Sequence, residues 1–295
     1  MKLLSKFGRG AFALTFVLFS TAFTTGVATA DGCADDLASD IPTRAFRALG
    51  GSAVMAQVSN LSGAQRDGVI AQQVLAGNVP AFLRDLTPVV FEGTFANGAP
   101  VQVTICVMPE YLAVGSDRDF VRVPLGLPAA ARIADEFGFY LPTTRMVDAI
   151  YAQAQVHLAP SPMKPTNQMS STPYLVAHNQ TVERMRAPFG RTAGLLTAGQ
   201  KKDLVLSMRL RSAPGRVAIY GWHRTNGRPI QPLSTVHGEY YADYSHGVRL
   251  VSQVAFVNGK PRALAEIMEN AELSKLISSE GPITNPHTLM ASLYR

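Results

Sequence analysis

The dipeptide Asn97-Gly98, between two runs of alternating apolar residues, constrains the fold more strongly than any other feature of the sequence. The run before it is 88–95 (PVVFEGTF), and the run after it is 101–107 (VQVTICV). Such alternation is typical of a half-buried strand, and Asn-Gly is a preferred sequence for a tight hairpin turn. The sequence therefore predicts an antiparallel sheet that includes this hairpin.

The remaining segments favour helices and strands in separate runs along the chain. Helical patterns occur in five segments: 37–86, 128–137, 143–156, 178–186 and 261–278. Strand-like patterns occur in four further segments: 203–211, 216–223, 229–236 and 248–257. Because helices and antiparallel strands are not interleaved as β-α-β units, we predict an α+β fold, with an antiparallel sheet and flanking helices.

The first thirty residues have the pattern of a secretory signal peptide. Residues 1–10 are basic, residues 11–23 are apolar, and Ala28 and Ala30 occupy the small positions that a signal peptidase accepts. A membrane anchor is the alternative, but thirteen helical residues span only about 20 Å of a hydrocarbon core that is roughly 30 Å thick. We expect cleavage after Ala30 and a periplasmic or secreted protein with no transmembrane segment in the mature chain.

The chain contains two cysteines, Cys33 and Cys106. In an oxidising compartment, two cysteines most simply form one disulfide bond. Lipidation of Cys33 is disfavoured because Asp31 interrupts the small-residue motif before it. A catalytic Cys106 is disfavoured because that residue lies in an apolar strand pattern without a nearby histidine. The sequence therefore predicts a Cys33–Cys106 disulfide.

The composition is that of a globular protein. Hydrophobic residues make up 47% of the chain and charged residues 16%, which excludes a disordered or coiled-coil protein. The formal net charge of +6 includes three positive charges in the expected signal peptide. The mature chain then carries only about +3, which is too weak a basic balance to indicate nucleic acid as a partner.

A proline-rich segment separates two parts of the mature chain. Residues 158–173 contain four prolines, and the composition is typical of an extended connector. We predict a signal peptide at 1–30, an N-terminal helical and hairpin part at 31–157, and a C-terminal antiparallel-sheet part at 174–295 that carries the candidate site. A single domain over 31–295 is the alternative.

Polar and aromatic side chains are concentrated between residues 178 and 249, a segment that holds four of the six histidines. The candidate catalytic residues are His223, Asp243, Ser245 and His246. The candidate substrate-binding residues are their charged and aromatic neighbours: Lys201, Lys202, Asp203, Tyr220, Trp222, Tyr241 and Arg249. Pairing of 203–211 with 216–223 would place Lys202 and Asp203 beside His223. With a turn at Gly247, we expect His223, Asp243 and His246 in one pocket, with Ser245 and Lys202 at its rim.

Three interpretations of this group of residues remain open. His223, His237, Asp243 and His246 could bind a divalent metal such as zinc, which would activate water. Ser245 could be a nucleophile with a histidine base that Asp243 orients, although the chain has no G-x-S-x-G motif around it. The same residues could instead form a buried polar network that stabilises loops.

Five segments resemble a family of secreted bacterial proteins whose reaction is uncharacterised. They are MPEYLAVGSDRDFVRVP at 108–124, LPTTRMVDAIYAQA at 141–154, AGQKKDLVLS at 198–207, VAIYGWH at 217–223 and DYSHGVRLV at 243–251. The resemblance extends from about residue 50 to about residue 255 and implies export, but it implies no reaction, fold or cofactor. In that family, a histidine often stands at the position of Gln200.

Export together with the polar residues favours a hydrolase that acts on a cell-envelope or extracellular polymer, of either a metal-dependent or a serine–histidine type. The alternative is a non-catalytic periplasmic protein with a structural role or a role in binding sugars or peptides. Such a protein would use a platform of aromatic side chains: Tyr220, Trp222, Tyr240, Tyr241 and Tyr244. The expected partner is in either case an extracellular polymer or a small molecule.

Overall fold

A computed structural model describes residues 32–33 and 35–295, so the predicted signal peptide and its cleavage site lie outside the described residues. Cys33 and Cys106 form the predicted disulfide, with a Cα–Cα distance of 5.4 Å. Within the described part of the chain, no helix is long and apolar enough to cross a membrane. The disulfide fits an exported protein, because such bonds persist in oxidising compartments.

The α-helices of the described residues are short and pack around the sheets. They are α1 (Gly51–Gln57), α2 (Gly63–Leu75), α3 (Leu127–Glu136), α4 (Thr144–Gln153), α5 (Thr172–Arg186), α6 (Arg209–Ser212), α7 (Leu264–Glu269), α8 (Ser274–Ile277) and α9 (Pro286–Ser292). Within residues 32–33 and 35–295, three short 3₁₀ segments lie at Asp35–Ala38, Ala81–Arg84 and Ala187–Phe189.

The strands are also short, apart from those of the central sheet. They are β1 (Thr87–Thr94), β2 (Pro100–Val107), β3 (Ala113–Ser116), β4 (Asp119–Arg122), β5 (Phe139–Tyr140), β6 (Val156–His157), β7 (Thr197–Ala198), β8 (Lys202–Leu204), β9 (Ile219–His223), β10 (Pro229–Ser234), β11 (His246–Gly247), β12 (Val251–Val257) and β13 (Lys260–Ala263). The combination of helices with mainly antiparallel strands confirms the α+β class.

The central sheet has the order β1-β2-β12-β13, and β5 also pairs with β12. The predicted hairpin is confirmed, because β1 and β2 pair antiparallel from Thr87 opposite Val107 to Thr94 opposite Pro100. β2 also pairs with β12, so the sheet contains strands from both predicted parts of the chain. One continuous apolar core includes residues from Cys33 to Met290.

The prediction of one helix over 261–278 is wrong. The segment contains β13, α7 and α8 instead. The break lies at Asn270, whose side-chain oxygen accepts hydrogen bonds from the backbone N–H groups of Glu272 and Leu273. An asparagine that bonds to the backbone ahead of it favours a turn over a continuous helix.

The two long strands predicted at 203–211 and 216–223 are also shorter in the structure. β8 ends at Leu204, and α6 lies between β8 and β9. Ser207 interrupts the apolar pattern, because its hydroxyl accepts from the backbone N–H of Arg209 and donates to Glu280. A local side-chain hydrogen bond of this kind competes with strand pairing.

A second sheet has the order β10-β9-β8-β11 and positions the candidate site. β8 pairs antiparallel with β9, and Lys202 lies opposite Gly221. β8 also pairs with β11, but this pairing is parallel, and it places Lys202 opposite His246. The sheet is therefore mixed, and Lys202 lies on an inner strand, between two segments that carry candidate residues.

Candidate functional site

The two faces of β8 divide the candidate residues into two groups, because successive strand residues point to opposite faces. On one face, the Nζ atom of Lys202 lies 5.1 Å from the centre of the Trp222 indole, and Lys202 is opposite His246. On the other face, Asp203 accepts a hydrogen bond of 2.9 Å from the Tyr111 hydroxyl and lies near His223. We call these groups the His246 cluster (Lys202, Trp222, His237, Tyr241, Asp243, Ser245 and His246) and the His223 cluster (Tyr111, Asp148, Tyr151, Asp203, Tyr220 and His223).

Backbone geometry in β9 explains how neighbouring residues reach different clusters. Gly221 has a φ of 103° and Trp222 has a φ of 57°, so the strand loses its usual alternation there. A left-handed conformation is unusual for a bulky residue and costs on the order of 1–3 kcal/mol. The backbone N–H of Trp222 donates to the Lys201 carbonyl at 3.0 Å, which holds the strained residue against the start of β8. Strain of this kind is often found at functional sites.

A tight turn brings Asp243 and His246 together. The His246 N–H donates to the Asp243 carbonyl at 3.1 Å. The Ser245 N–H and hydroxyl both donate to Asp243 Oδ1, at 2.7 Å and 2.5 Å, and the Tyr241 hydroxyl donates to Oδ2 at 3.1 Å. Both carboxylate oxygens therefore accept hydrogen bonds, and the Asp243 side chain is fixed.

The turn does not use Gly247, which the sequence analysis had assigned to it. Gly247 lies in β11, after the turn. A Cβ atom at this position would lie 2.6 Å from a ring carbon of Tyr111 and 2.9 Å from the Cβ of Lys201. Glycine is therefore needed for the close packing of β11 against Tyr111 and Lys201.

His246 is the central residue of its cluster. Its side chain is fully buried, and neither ring nitrogen has a hydrogen-bond partner among the described residues. Burial lowers the pKa of His246 to about 4, although the carboxylate of Asp243 partly opposes the shift. Burial alone would raise the pKa of Asp243, but His246 and the bonds from Ser245 keep it below its usual value. At neutral pH the site therefore holds a neutral imidazole beside an ionised carboxylate.

Two aromatic rings cover His246. The ring of Tyr241 meets His246 edge-on, with 5.7 Å between the ring centres. His237 stacks on Tyr241 at 4.3 Å, and its ring centre is 6.3 Å from that of His246. His237, Tyr241 and Lys202 are half-buried, whereas His246 is inaccessible, so these three side chains form the solvent-facing side of the cluster.

Lys201 is buried behind the cluster and does not face solvent. Its Nζ atom donates to the Tyr244 carbonyl at 2.6 Å and lies 3.1 Å from His178 Nδ1. Burial lowers the pKa of Lys201 to about 7 and the pKa of His178 to about 3. His178 was not among the candidate residues, but its spacing from Leu175 and Val182 places it on the buried face of α5.

The His223 cluster is centred on a hydrogen bond between a buried imidazole and a half-exposed carboxylate. His223 Nε2 hydrogen-bonds to Asp148 Oδ1 at 2.8 Å, and the Asp148 side chain is 51% exposed. The Tyr220 hydroxyl donates to the same oxygen at 2.9 Å, and the Tyr151 ring stacks on His223 at 4.6 Å. Sequence reasoning missed Asp148. Its spacing of three from Tyr151 on the predicted helix was the available signal.

Asp203 and Arg249 lie in the interior beside this cluster. Burial raises the pKa of Asp203 to about 6, against the opposing charge of Arg249. The guanidinium of Arg249 lies 4.3 Å from the centre of the Tyr111 ring. It donates to the carbonyls of Met108 and Thr197, at 2.8 Å and 2.6 Å. Arg249 thus ties β7 to the segment that follows β2.

Comparison with known proteins adds no further assignment. The chain matches no family model, no curated protein and no solved structure. The resemblance to a family of secreted bacterial proteins therefore stays a prediction, and roles for the site residues have to be argued from geometry.

The structure separates residues that the sequence analysis had expected in one pocket. No described contact joins His223 to Asp243 or His246, because His223 bonds to Asp148 instead. Across residues 32–33 and 35–295, no group of three or more His, Cys, Asp or Glu side chains could hold a metal ion. The expected ligand set of His223, His237, Asp243 and His246 is therefore not assembled here.

The five aromatic residues of the alternative binding platform are also dispersed. Tyr220 bonds to Asp148 in the His223 cluster, whereas Trp222 and Tyr241 belong to the His246 cluster. Tyr244 is buried, and its hydroxyl accepts from the Met163 N–H at 2.8 Å. Tyr240 is exposed and lies against Gly126 at the start of α3. The stacked pair of His237 and Tyr241 offers a half-exposed aromatic surface beside His246.

Proposed function

We propose that the protein is an exported hydrolase that acts on a cell-envelope or extracellular polymer, with the His246 cluster as its reactive centre. The observation that carries the proposal is the buried imidazole of His246, whose two nitrogens have no hydrogen-bond partner in the described chain. Most buried polar groups in proteins are hydrogen-bonded, and each exception calls for an explanation. Here the explanation is that a substrate or a water molecule bonds to the free nitrogens.

The chemistry that suits this arrangement is general base catalysis. His246 is neutral at physiological pH and can take a proton from an attacking water molecule. The ionised Asp243 then stabilises the imidazolium, and His246 returns the proton to the leaving group when the scissile bond breaks. Lys202 is placed to stabilise negative charge that develops on the substrate oxygen.

Within this proposal, Ser245 positions Asp243 and does not attack the substrate. Its hydroxyl donates to Asp243 Oδ1, so no histidine is hydrogen-bonded to it as a base. A serine nucleophile needs such a base within hydrogen-bond distance. Water is therefore the nucleophile that the proposal assigns.

The proposal also requires that the rings covering His246 move. Tyr241 and His237 lie between the imidazole and solvent. Among the described residues, one side-chain hydrogen bond, from the Tyr241 hydroxyl to Asp243, holds these two rings. Rotation of Tyr241 would open a path to the free nitrogens of His246. Side chains at the entrance of an active site commonly move in this way before chemistry.

A second candidate function is binding of a sugar or peptide without catalysis. The observation that favours it is the half-exposed stack of His237 and Tyr241, because aromatic surfaces of this kind bind sugar rings and planar groups. In that case, His246 would donate and accept hydrogen bonds to the ligand without proton transfer.

The experiment compares purified wild-type protein with His246→Gln on isolated peptidoglycan and on extracellular polysaccharide. New reducing ends, amino groups and carboxyl groups are measured over time. We expect one of these products from the wild type and a loss of at least a hundredfold in His246→Gln, the range of general base catalysis. His287→Gln is the matched control, because the His287 side chain is 63% exposed.

Equal rates for the wild type and His246→Gln would contradict the proposed site. Sedimentation of the protein with a polymer, without release of any product, would support the binding function instead. A comparison of thermal midpoints verifies that His246→Gln is folded under the assay conditions.

A further inference from the structure

We propose that the substrate group bound at the His246 cluster is a carboxylate, recognised by Lys202 and the indole N–H of Trp222. This inference rests on the proposed function, because the bound group is part of a substrate only if the protein is a hydrolase. The binding itself can be tested without turnover.

The cluster has hydrogen-bond donors without partners. Trp222 is buried, and its Nε1 atom has no hydrogen-bond partner among the described residues. The ammonium group of Lys202 forms no hydrogen bond or ion pair with any described residue, and its one aromatic contact there is with the Trp222 ring. An indole N–H and an ammonium group can only donate. A ligand that satisfies both has to supply acceptors.

No acceptor of the described residues bonds to either donor. The carboxylate of Asp243 belongs to the same cluster, but it accepts hydrogen bonds from Ser245 and Tyr241, and it acts on Lys202 only through its charge. The ring nitrogens of His246 are also not bonded to either donor. A ligand can therefore supply the acceptors that Trp222 and Lys202 lack.

The cluster contains one cation, Lys202, and one ionised carboxylate, Asp243, while His246 is neutral. A second negative charge on the ligand would double the attraction to Lys202 and the repulsion from Asp243 alike. The difference between the two anions is the cost of removing them from water, which is larger for a phosphate with two charges than for a carboxylate with one. Because the cluster has only one cation to compensate that cost, a carboxylate is favoured over a phosphate.

The backbones of the two donor residues are held in place before any ligand binds. Trp222 has a left-handed backbone and its backbone N–H bonds to the Lys201 carbonyl, so the residue is tied to the segment that carries Lys202. Lys202 itself lies on an inner strand, between Gly221 and His246. Donors fixed on sheet strands lose little freedom on binding, which favours recognition of a small anion.

Trp222 is the single tryptophan of the chain, so its fluorescence reports directly on this site. The protein is titrated with sodium acetate, inorganic phosphate and acetamide at constant ionic strength, and the intensity and wavelength of the emission are followed. We expect a saturable change with acetate, a weaker one with phosphate, and none with acetamide, which has the same shape as acetate but no charge.

Two Lys202 variants and one control complete the test. Lys202→Met should weaken acetate binding at least tenfold, because hydrogen bonds to charged groups are the strong ones, whereas Lys202→Arg should retain binding. Lys260→Met, at an exposed position in β13, should bind acetate like the wild type. If Lys202→Met does not fold, the comparison of acetate with acetamide on the wild type and on Lys202→Arg decides.

Equal effects of acetate and acetamide, or unchanged acetate binding in folded Lys202→Met, would overturn the proposal. Tighter binding of phosphate than of acetate would overturn the assignment to a carboxylate. Acetate binding in a protein that hydrolyses no polymer would support this inference and contradict the proposed hydrolase. Hydrolysis without acetate binding would support the proposed hydrolase and contradict the carboxylate site. A failure of one proposal is therefore distinguishable from a failure of the other.

Discussion

Removal of the Cys33–Cys106 disulfide, by Cys33→Ala and Cys106→Ala together, is expected to lower the free energy of unfolding by about 4 kcal/mol. The bond joins residues 73 positions apart. For a loop of this length, the chain-entropy relation gives an entropy loss in the unfolded chain of about 15 cal/mol/K, which is roughly 4 kcal/mol at 25 °C. Alanine is chosen because Cys106 is buried, and a serine hydroxyl there would add the cost of an unpaired polar group.

Equilibrium urea unfolding of the wild type, both single variants and the double variant measures this effect. Each single variant already lacks the bond, so each should lose about as much as the double variant, and the losses should not add. Reduced wild type is the matched control and should unfold with the double variant. A loss below about 1 kcal/mol, or additive losses in the two single variants, would refute the loop-entropy reasoning.

Two further predictions concern buried charges. Arg122→Met leaves Glu110 buried without its 2.6 Å partner and should lower the free energy of unfolding by about 3–5 kcal/mol. The control Arg132→Met removes an exposed helical ion pair and should lower the same quantity by less than about 0.5 kcal/mol in urea titration. Between pH 6.5 and pH 4, the free energy of unfolding of the wild type should fall by on the order of 3 kcal/mol relative to that of His246→Gln. The reason is that the imidazole binds a proton below about pH 6.5 in the unfolded chain, whereas the folded ring stays neutral down to about pH 4. Thermal unfolding across this pH range measures the effect, with His287→Gln as the control. Parallel changes in the stability of the wild type and His246→Gln would contradict this second prediction.

Local sequence signals predicted the parts of the fold that depend on neighbouring residues. The β1–β2 hairpin follows from Asn97-Gly98 and two alternating runs, and the disulfide follows from having two cysteines in a chain that is expected to be exported. The helix expected at 261–278 failed because one side chain, Asn270, breaks it by capping the next segment. Apolar spacing alone does not report such side-chain competition with the backbone.

The candidate site was predictable in its composition but not in its arrangement. Lys202, Asp243, Ser245 and His246 do lie close together, yet they do so through a parallel pairing of β8 with β11, which spans about forty residues and has no local signal. The positive φ of Trp222 separates it from His223. Neither feature follows from strand periodicity, which assumes regular alternation.

The partner of His223, Asp148, was also not predictable from the sequence pattern. It lies 75 residues before His223, on a helix, and nothing in the spacing of the histidines points to it. The half-exposed Asp148 bonds to the imidazole that the sequence analysis had assigned to the metal or catalytic site. Partners that come from distant elements are set by tertiary packing, and a pattern within one segment cannot supply them.

The pH dependence of kcat/KM tests the central claim, that neutral His246 is the general base of a hydrolase, most directly. The measurement uses the polymer from which the wild type releases product, between pH 3 and pH 8. Because kcat/KM reports the pKa of the essential base in the free enzyme, we expect an acid limb with a pKa of about 4, the value that burial imposes on His246. An acid limb near the ordinary histidine pKa of about 6.5, or the same rates and limb in His246→Gln, would contradict the account.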